Sequence, residues 1–472
     1  MSATIVTAPP VATHGRRWQA LAWVAIGQLM IAADATIMNI ALPTVQRDLA
    51  LSPAQAQWVV TAFALCYGGF LLLGGRLSAR WGRRRCLLVG LGVFAAASLL
   101  GGLAANPAMI IAARAAQGVA GALFTPSVLA LLGTAFPAGA DRARAFGRYG
   151  TVMGSSSGVG LLLGGVLTDL AGWRWSLLVA VPIAALAAAG IVRTVDGGTG
   201  QADAPVDLVG AVLATAGLMT LVYGFSRVEA AGWDAPSTLA ALAAGAILLV
   251  AFVVAQRQVA HPLLPLRVVL DRRRGGAYLA VLAMAVGNFA AFFFLTFHLQ
   301  HVLGWSPVRA GLAFLPYTVA IVVGVRTARG LLTDAPVRQL LVPALLVTAA
   351  GLALLGLLRP DSGYPSLLLP VIVLLGLGNA LVLVPANSVA TQDAGPDAGV
   401  AGATVMTAMQ VGSSLGVALL GSVAAAVAAA YAGAPTEAAV RGYAIAGLSA
   451  AALLCLAAPV VAAVLGAGRP AR

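Results

Sequence analysis

Ala33-Asp34-Ala35-Thr36-Ile37-Met38-Asn39-Ile40-Ala41-Leu42-Pro43 lies in an apolar run that extends from Trp18 to Leu42. A helix needs roughly 20 residues to cross ~30 Å of hydrocarbon, and this run is long enough. One carboxylate, Asp34, stands well inside it. A charge at that depth costs about 2.5–3.5 kcal/mol even on the milder scales, so an acid there is rarely idle.

The rest of the chain has the same character. Of 472 residues, 60% are hydrophobic and 9% charged, with a mean hydropathy of +0.95. A soluble domain carries roughly 25% charged residues, so this chain cannot cover itself with polar surface in water. Apolar runs of spanning length recur to the end, without the alternating ten-residue segments of a β-barrel. The predicted fold class is an all-α membrane protein with fourteen transmembrane helices.

The net charge is +13 and every cation apart from histidine is arginine. Roughly 21 arginines fall on one side of the spans and about 6 on the other, the rich side including both chain ends. Both termini are therefore expected in the cytoplasm of a multi-pass cell-membrane protein, and the even span count agrees. The missing lysine and abundant alanine and glycine suggest a GC-rich, bacterial genome. No soluble domain gathers the basic charge, so no nucleic-acid partner is expected. No phosphate-binding loop is present, which argues against ATP-driven work. Cys66, Cys86 and Cys455 are too scattered for a disulfide framework or a metal site. The first apolar run is too long for a cleaved signal.

In chain order, 1–17 reads as a cytoplasmic tail, 18–193 as six spans and 194–206 as a Gly/Asp-rich linker. Two spans poor in polar residues follow at 207–256, then a basic cytoplasmic loop at 257–275. Six more spans occupy 276–466, and 467–472 is a second tail.

On span four, Arg114 and Gln117 lie on one face with Gly121. At 1.5 Å per residue, Arg114 sits ~10 Å below the outer end of its helix and Asp34 ~13 Å below Pro43. The depths match, so an Asp34–Arg114 pair is expected. A carboxylate held between low dielectric, which disfavours charge, and a guanidinium, which favours it, is suited to loading and releasing a proton. The plainer reading is a structural ion pair. Asp34 and Asn39 lie ~140° apart around span one, so that helix is expected to be surrounded by protein.

Gln28, Asn39, Gln117, Asn288, Asn379, Asn387 and Gln410 are candidates to line a cavity, although a buried amide more often bridges helices. Phe292, Phe293, Phe294 and Phe297 offer aromatic surface. Consecutive residues diverge around a helix, so at most one or two face a cavity, with Phe293 the candidate and lipid expected beside the others. His298 and His301 read as wet residues near the outer end of span nine. Gly154, Gly158, Gly160, Gly164 and Gly165 on span five permit close helix approach. The segment Gly75–Arg85, with Gly75, Arg80, Gly82, Arg83 and Arg84, reads as a short basic loop that sets topology and contributes to gating. Trp173 and Trp175 suit the outer interface.

These motifs, in this order, resemble the major facilitator superfamily and specifically its fourteen-span drug:proton antiporter branch. The resemblance covers nearly the whole chain. It rests on Asp34 to Pro43, Gly75 to Arg84, Arg114 to Gly118, Gly160 to Gly165, and Gly172-Trp173-Arg174-Trp175 through Pro182. Asp207 with Gly210, Gly232-Trp233, His261-Pro262-Leu263 and Gln410 to Ala418 also fit. Two positions depart from the family pattern: Ala79 stands where the loop motif usually has an acid, and Leu161 where span five usually has proline. The resemblance implies two six-helix bundles with spans seven and eight inserted, a site near the midplane and alternating access. It further implies proton-coupled export of amphipathic small molecules, such as drugs or antibiotics, by a monomer. Asp34 and Arg114 would handle the proton, and no cofactor or metal would be needed beyond the proton gradient. Uptake of a metabolite on the same fold is the alternative; a non-transporting scaffold is the third reading.

Overall fold

The structure is a computed structural model that describes residues 14–136, 140–196, 207–260, 262–331, 336–391 and 398–466. Much of the predicted tails and linker, and His261, lie outside the described residues. Among those described, fourteen helices are long and apolar enough to cross a membrane. They are α1 (Gly15–Asp48), α2 (Pro53–Trp81), α3 (Arg83–Gly102), α4 (Pro107–Ala135), α5 (Gly147–Leu170), α6 (Trp173–Thr194) and α7 (Leu208–Val228). The remainder are α8 (Pro236–Gln258), α9 (Arg272–Val302), α10 (Pro307–Leu331), α11 (Val337–Leu355), α12 (Tyr364–Thr391), α13 (Val400–Ala429) and α14 (Pro435–Leu465).

Local chemistry sets several helix ends. Ser52 and Gln55 form a reciprocal capping box at the start of α2, and Asn106 caps α4 ahead of Pro107, satisfying amides that would otherwise lack partners. The predicted loop Gly75–Arg85 is a correction: α2 runs on to Trp81, α3 starts at Arg83, and only Gly82 breaks them. Its φ of +89° is backbone that glycine adopts without a steric penalty. Arginine is a good helix former, so the drop in hydropathy there marks the end of the membrane, not of the helix.

Helices α1–α6 pack as one bundle and α9–α14 as another. Two main seams join them, α2 against α13 and α5 against α10, and α1 also touches α9 and α10. Helix α7 lies against α2 and α13, with α8 packed on α7. The most apolar windows of α9 and α8 are 83% and 11% buried, which makes α9 central and α8 peripheral.

The glycines of α5 serve two neighbours. A β-carbon at Gly160 would strike Ala33 and Thr36, and one at Gly164 would meet the Ile37 backbone at 2.9 Å, both on α1. Gly158 and Gly165 face α10 instead, at Thr318 and at Pro307 and Val308. Gly154 lies on the same helix, but its surroundings are outside the described set. Two close approaches were not singled out in the sequence for this role: Gly74 against the Ala122 carbonyl and Gly118 against the Phe63 carbonyl, both between α2 and α4.

Burial overturns three further expectations. Phe292, Phe293, Phe294 and Phe297 are all buried, because protein surrounds α9 on every side. Trp173 is buried too, its Nε1 donating to Asp48 Oδ2 at 2.8 Å, and Arg174 donates to the same oxygen at 2.7 Å. Only Trp175 of that pair is exposed. His298 is fully buried in a π-helical turn that ends α9, and neither ring nitrogen has a hydrogen-bond partner.

Gly164→Val should wedge α1 from α5. Overpacking of this kind costs about 1–3 kcal/mol, and a lowered unfolding temperature in detergent, relative to Gly150→Val, is the expected reading. A β-carbon at Gly150 meets nothing within 4 Å.

Candidate functional site

Asp34 on α1 and Arg114 on α4 meet in the middle of the first bundle. Arg114 Nη1 donates to Asp34 Oδ2 and to Gln117 Oε1 at 2.7 Å. Its Nε donates to the Val59 carbonyl on α2 at 3.1 Å, and the guanidinium lies 4.5 Å from the centre of the Phe63 ring. Gln117 Nε2 donates to Asp34 Oδ1 at 3.2 Å and to Ser98 Oγ on α3 at 2.8 Å. Asp34 is 2% exposed and Arg114 1%, so water screens neither.

The local sequence explains this geometry. Arg114 and Gln117 are three residues apart on α4, so both reach the same side. Gly118 brings α4 close to α2, within reach of the Val59 carbonyl. Taking two charges out of water is costly unless the pair is close and its other lone pairs and protons are satisfied. Both carboxylate oxygens are hydrogen-bonded, and four helices contribute. Arginine keeps its proton under all ordinary conditions, so only the acid can change the charge of this cluster.

The second bundle has a different, uncharged cluster at its centre. Asn288 Nδ2 on α9 donates to the Tyr317 hydroxyl on α10 at 3.0 Å. Asn379 Nδ2 on α12 lies 3.7 Å from Met284 sulfur, and Asn288 Oδ1 is buried without a partner. Phe292 stacks on Phe314 with ring centres 4.1 Å apart and meets Tyr317 edge-on at 5.4 Å. Phe293 instead stacks on Phe297 and meets Phe294. The aromatic that shares the Asn288 face is therefore Phe292, one helical turn away, rather than Phe293.

The other candidate amides are dispersed. Gln28 is buried against Tyr67. Asn39 is buried with Oδ1 unpartnered. Gln410 is packed against Gly68 in the α2–α13 seam, and Asn387 Nδ2 donates back to its own helix at Leu383. In the basic segment, Arg83 donates to Thr134 Oγ1 on α4 and Arg84 to the Val192 carbonyl on α6 at 2.8 Å. Arg80 is exposed, and a β-carbon at Gly75 would meet only Pro126, at 3.7 Å. These contacts hold helix ends within the first bundle. Arg76 is the one that reaches further, to the Pro262 carbonyl at 3.2 Å.

The bundles touch unevenly along α5 and α10. Val308 N donates to Asp169 Oδ2 at 3.1 Å within that seam, and beside it Gln300 Nε2 on α9 donates to the Ile40 carbonyl on α1 at 2.8 Å. Leu161 is fully buried there, its carbonyl against Gly311. Toward the end where the chain begins, β-carbons at Gly147 and Gly150 would meet nothing within 4 Å. Asp207, buried before α7, accepts from Gly210 N, Gln256 Nε2 and Leu263 N. That network ties the inserted pair to the segment after α8. Among the described residues, no group of three His, Cys, Asp or Glu is placed to hold a metal ion.

The sequence model for the Major Facilitator Superfamily matches residues 24–417. The chain is 46% identical over 413 residues to the puromycin resistance protein pur8 of Streptomyces alboniger, covering 86% of this chain and 82% of that one. It is 39% identical to the cephamycin export protein CmcT of Amycolatopsis lactamdurans, covering 85% and 84%. Among solved structures it superimposes on a bacterial homologue of the lysosomal transporter Spinster, in an inward-facing and unoccupied conformation, with a TM-score of 0.67. Identity there is 16%, over 96% of this chain and 98% of that one, so the likeness is one of fold.

Arg114→Ala leaves the Asp34 carboxylate buried without its cation, which costs about 3–5 kcal/mol. Ser98→Ala removes one neutral hydrogen bond, worth about 1 kcal/mol. Thermal unfolding of the purified proteins should rank them in that order, with Arg114→Ala far the less stable.

Proposed function

The chain belongs to the Major Facilitator Superfamily, and we propose that it exports amphipathic small molecules of the antibiotic class in exchange for protons. The observation that carries this reading is the sealed Asp34–Arg114 cluster, whose charge changes only through the acid. The puromycin-resistance and cephamycin-export relatives support the substrate class. The same reading makes both termini cytoplasmic, as the arginine asymmetry requires. It also makes the chain a monomer in the cell membrane, with the proton gradient as its energy source and no cofactor.

The tight approach of Leu161 to Gly311 and the open space at Gly147 and Gly150 support reading this conformation as closed on the Asp48 side and open toward the cytoplasm. On this reading Asp34 gives up its proton toward the cytoplasm before the cluster closes over it, and the carboxylate then holds Arg114. Substrate enters from the same side and lies against the second bundle. Phe292 and Tyr317, covered in this conformation, offer ring surface there once the bundles move apart, and the unpartnered Asn288 Oδ1 accepts a hydrogen bond from an N–H or O–H. Rocking of the bundles opens the far side. A proton from outside neutralises Asp34 and weakens its hold on Arg114, and substrate leaves. Return of the protonated carrier completes the exchange.

Everted vesicles with puromycin as the first probe test this. Wild-type protein should release protons from acid-interior vesicles on addition of the compound. Asp34→Asn should reduce that release roughly tenfold or more, about 1.4 kcal/mol of lost coupling, while still exchanging compound down its own gradient. Undiminished proton release in Asp34→Asn overturns the coupling role. Gradient-driven accumulation by intact cells overturns export.

A further inference from the structure

At the end where the chain begins, α1 and α6 part around a groove of about 670 Å³. Arg16, Gln19 and Trp23 line it from α1, and Gly190, Arg193 and Thr194 from α6. Gly190 makes its floor possible, since a β-carbon there would lie 2.1 Å from the Trp23 ring. A β-carbon at Gly15, on the rim, would meet nothing within 4 Å.

The cations here are unevenly used. Arg16 donates to the Arg193 carbonyl at 3.2 Å and pairs with Asp196 at 3.0 Å. Arg84 is held by the Val192 carbonyl. The Arg193 guanidinium is exposed, with no carboxylate within ion-pair distance among the described residues. Of the two arginines that line the groove, only Arg16 therefore has an acid partner among the described residues. Both helices end at this level, so the groove sits where bilayer meets water.

The polarity then changes with depth. Along α1, Arg16, Gln19 and Trp23 are followed on the same side by Ile26, ~15 Å deeper than Arg16. Along α6, Leu186 lies ~10 Å deeper than Arg193. Ile26 and Leu186 are 38% and 62% exposed, bare apolar surface leading away from the cations.

We propose that this groove holds the headgroup of an anionic phospholipid. The phosphate accepts from Arg193 and Gln19, the glycerol lies against Trp23, and an acyl chain follows Ile26 and Leu186. Clusters of arginine at a helix–bilayer boundary attract anionic lipid, and the deeper apolar track matches an amphiphile rather than a free anion. The site lies apart from the Asp34 cluster. It clamps the start of α1, the helix that carries Asp34, to the end of α6.

Native mass spectrometry of the purified full-length protein, with phosphatidylglycerol or phosphatidylcholine added in equal amounts, tests this. Wild-type protein should retain phosphatidylglycerol preferentially. Arg193→Gln should weaken that retention roughly tenfold, Arg193→Lys should restore most of it, and Arg338→Gln, an arginine at the same level on α11, should leave it unchanged. Equal retention by wild type and Arg193→Gln, or no preference between the lipids, overturns the proposal. Displacement by an equal concentration of glycerol phosphate overturns it in favour of a simple anion site.

Discussion

One buried ion pair constrains the first bundle. Asp34 and Arg114 are tolerable in low dielectric because both carboxylate oxygens and the guanidinium Nε and Nη1 have hydrogen-bond partners. That requirement recruits the Val59 carbonyl and the face of Phe63 from α2, Ser98 from α3, and Gln117 from the arginine's own helix. The glycine contacts between α2 and α4 follow from the same demand, since the arginine reaches Val59 only if the two backbones are close. Removing charge from the cluster would relax a geometry that four helices share.

Helix α5 connects this cluster to the seam between the bundles. Its glycines touch α1 at Ala33, Thr36 and Ile37, immediately beside Asp34, and touch α10 at Thr318, Pro307 and Val308. The same short stretch of α5 thus packs on the helix that carries Asp34 and on the opposing bundle. A change in how α5 meets α10 is felt within one turn of the carboxylate. The glycine approaches of α5 to α10 run from Gly158 to Gly165, while β-carbons at Gly147 and Gly150, further toward the start of α5, would meet nothing within 4 Å.

Much of this was legible in one dimension. Fourteen spans could be counted because lipid demands long uninterrupted apolar runs. The Asp34–Arg114 pair could be anticipated because a helix converts residue number into depth at a fixed rise. Lateral neighbours have no such ruler. Ser98, Val59 and Phe63 were invisible as partners because their meeting with Arg114 depends on the rotation of α2 and α3 about their own axes. The same ignorance of phase put Phe293 in place of Phe292, a difference of 100°. Trp173 was read as an interface residue because tryptophan favours that level, whereas here a carboxylate at the end of α1 draws it inward. The basic segment after Gly75 read as a loop because charge density marks the membrane boundary more strongly than it marks a helix end.

The wall built by Asn288, Tyr317, Phe292 and Asn379 carries neither carboxylate nor guanidinium. Its side chains can be exchanged without disturbing any charge balance, because the machinery that handles charge belongs to the other half of the molecule. If cargo meets the Asn288 cluster as proposed, a lineage of such proteins is free to rewrite it for each new compound while leaving the buried ion pair of the first bundle unaltered. Diversity of cargo and permanence of drive would follow from the same division.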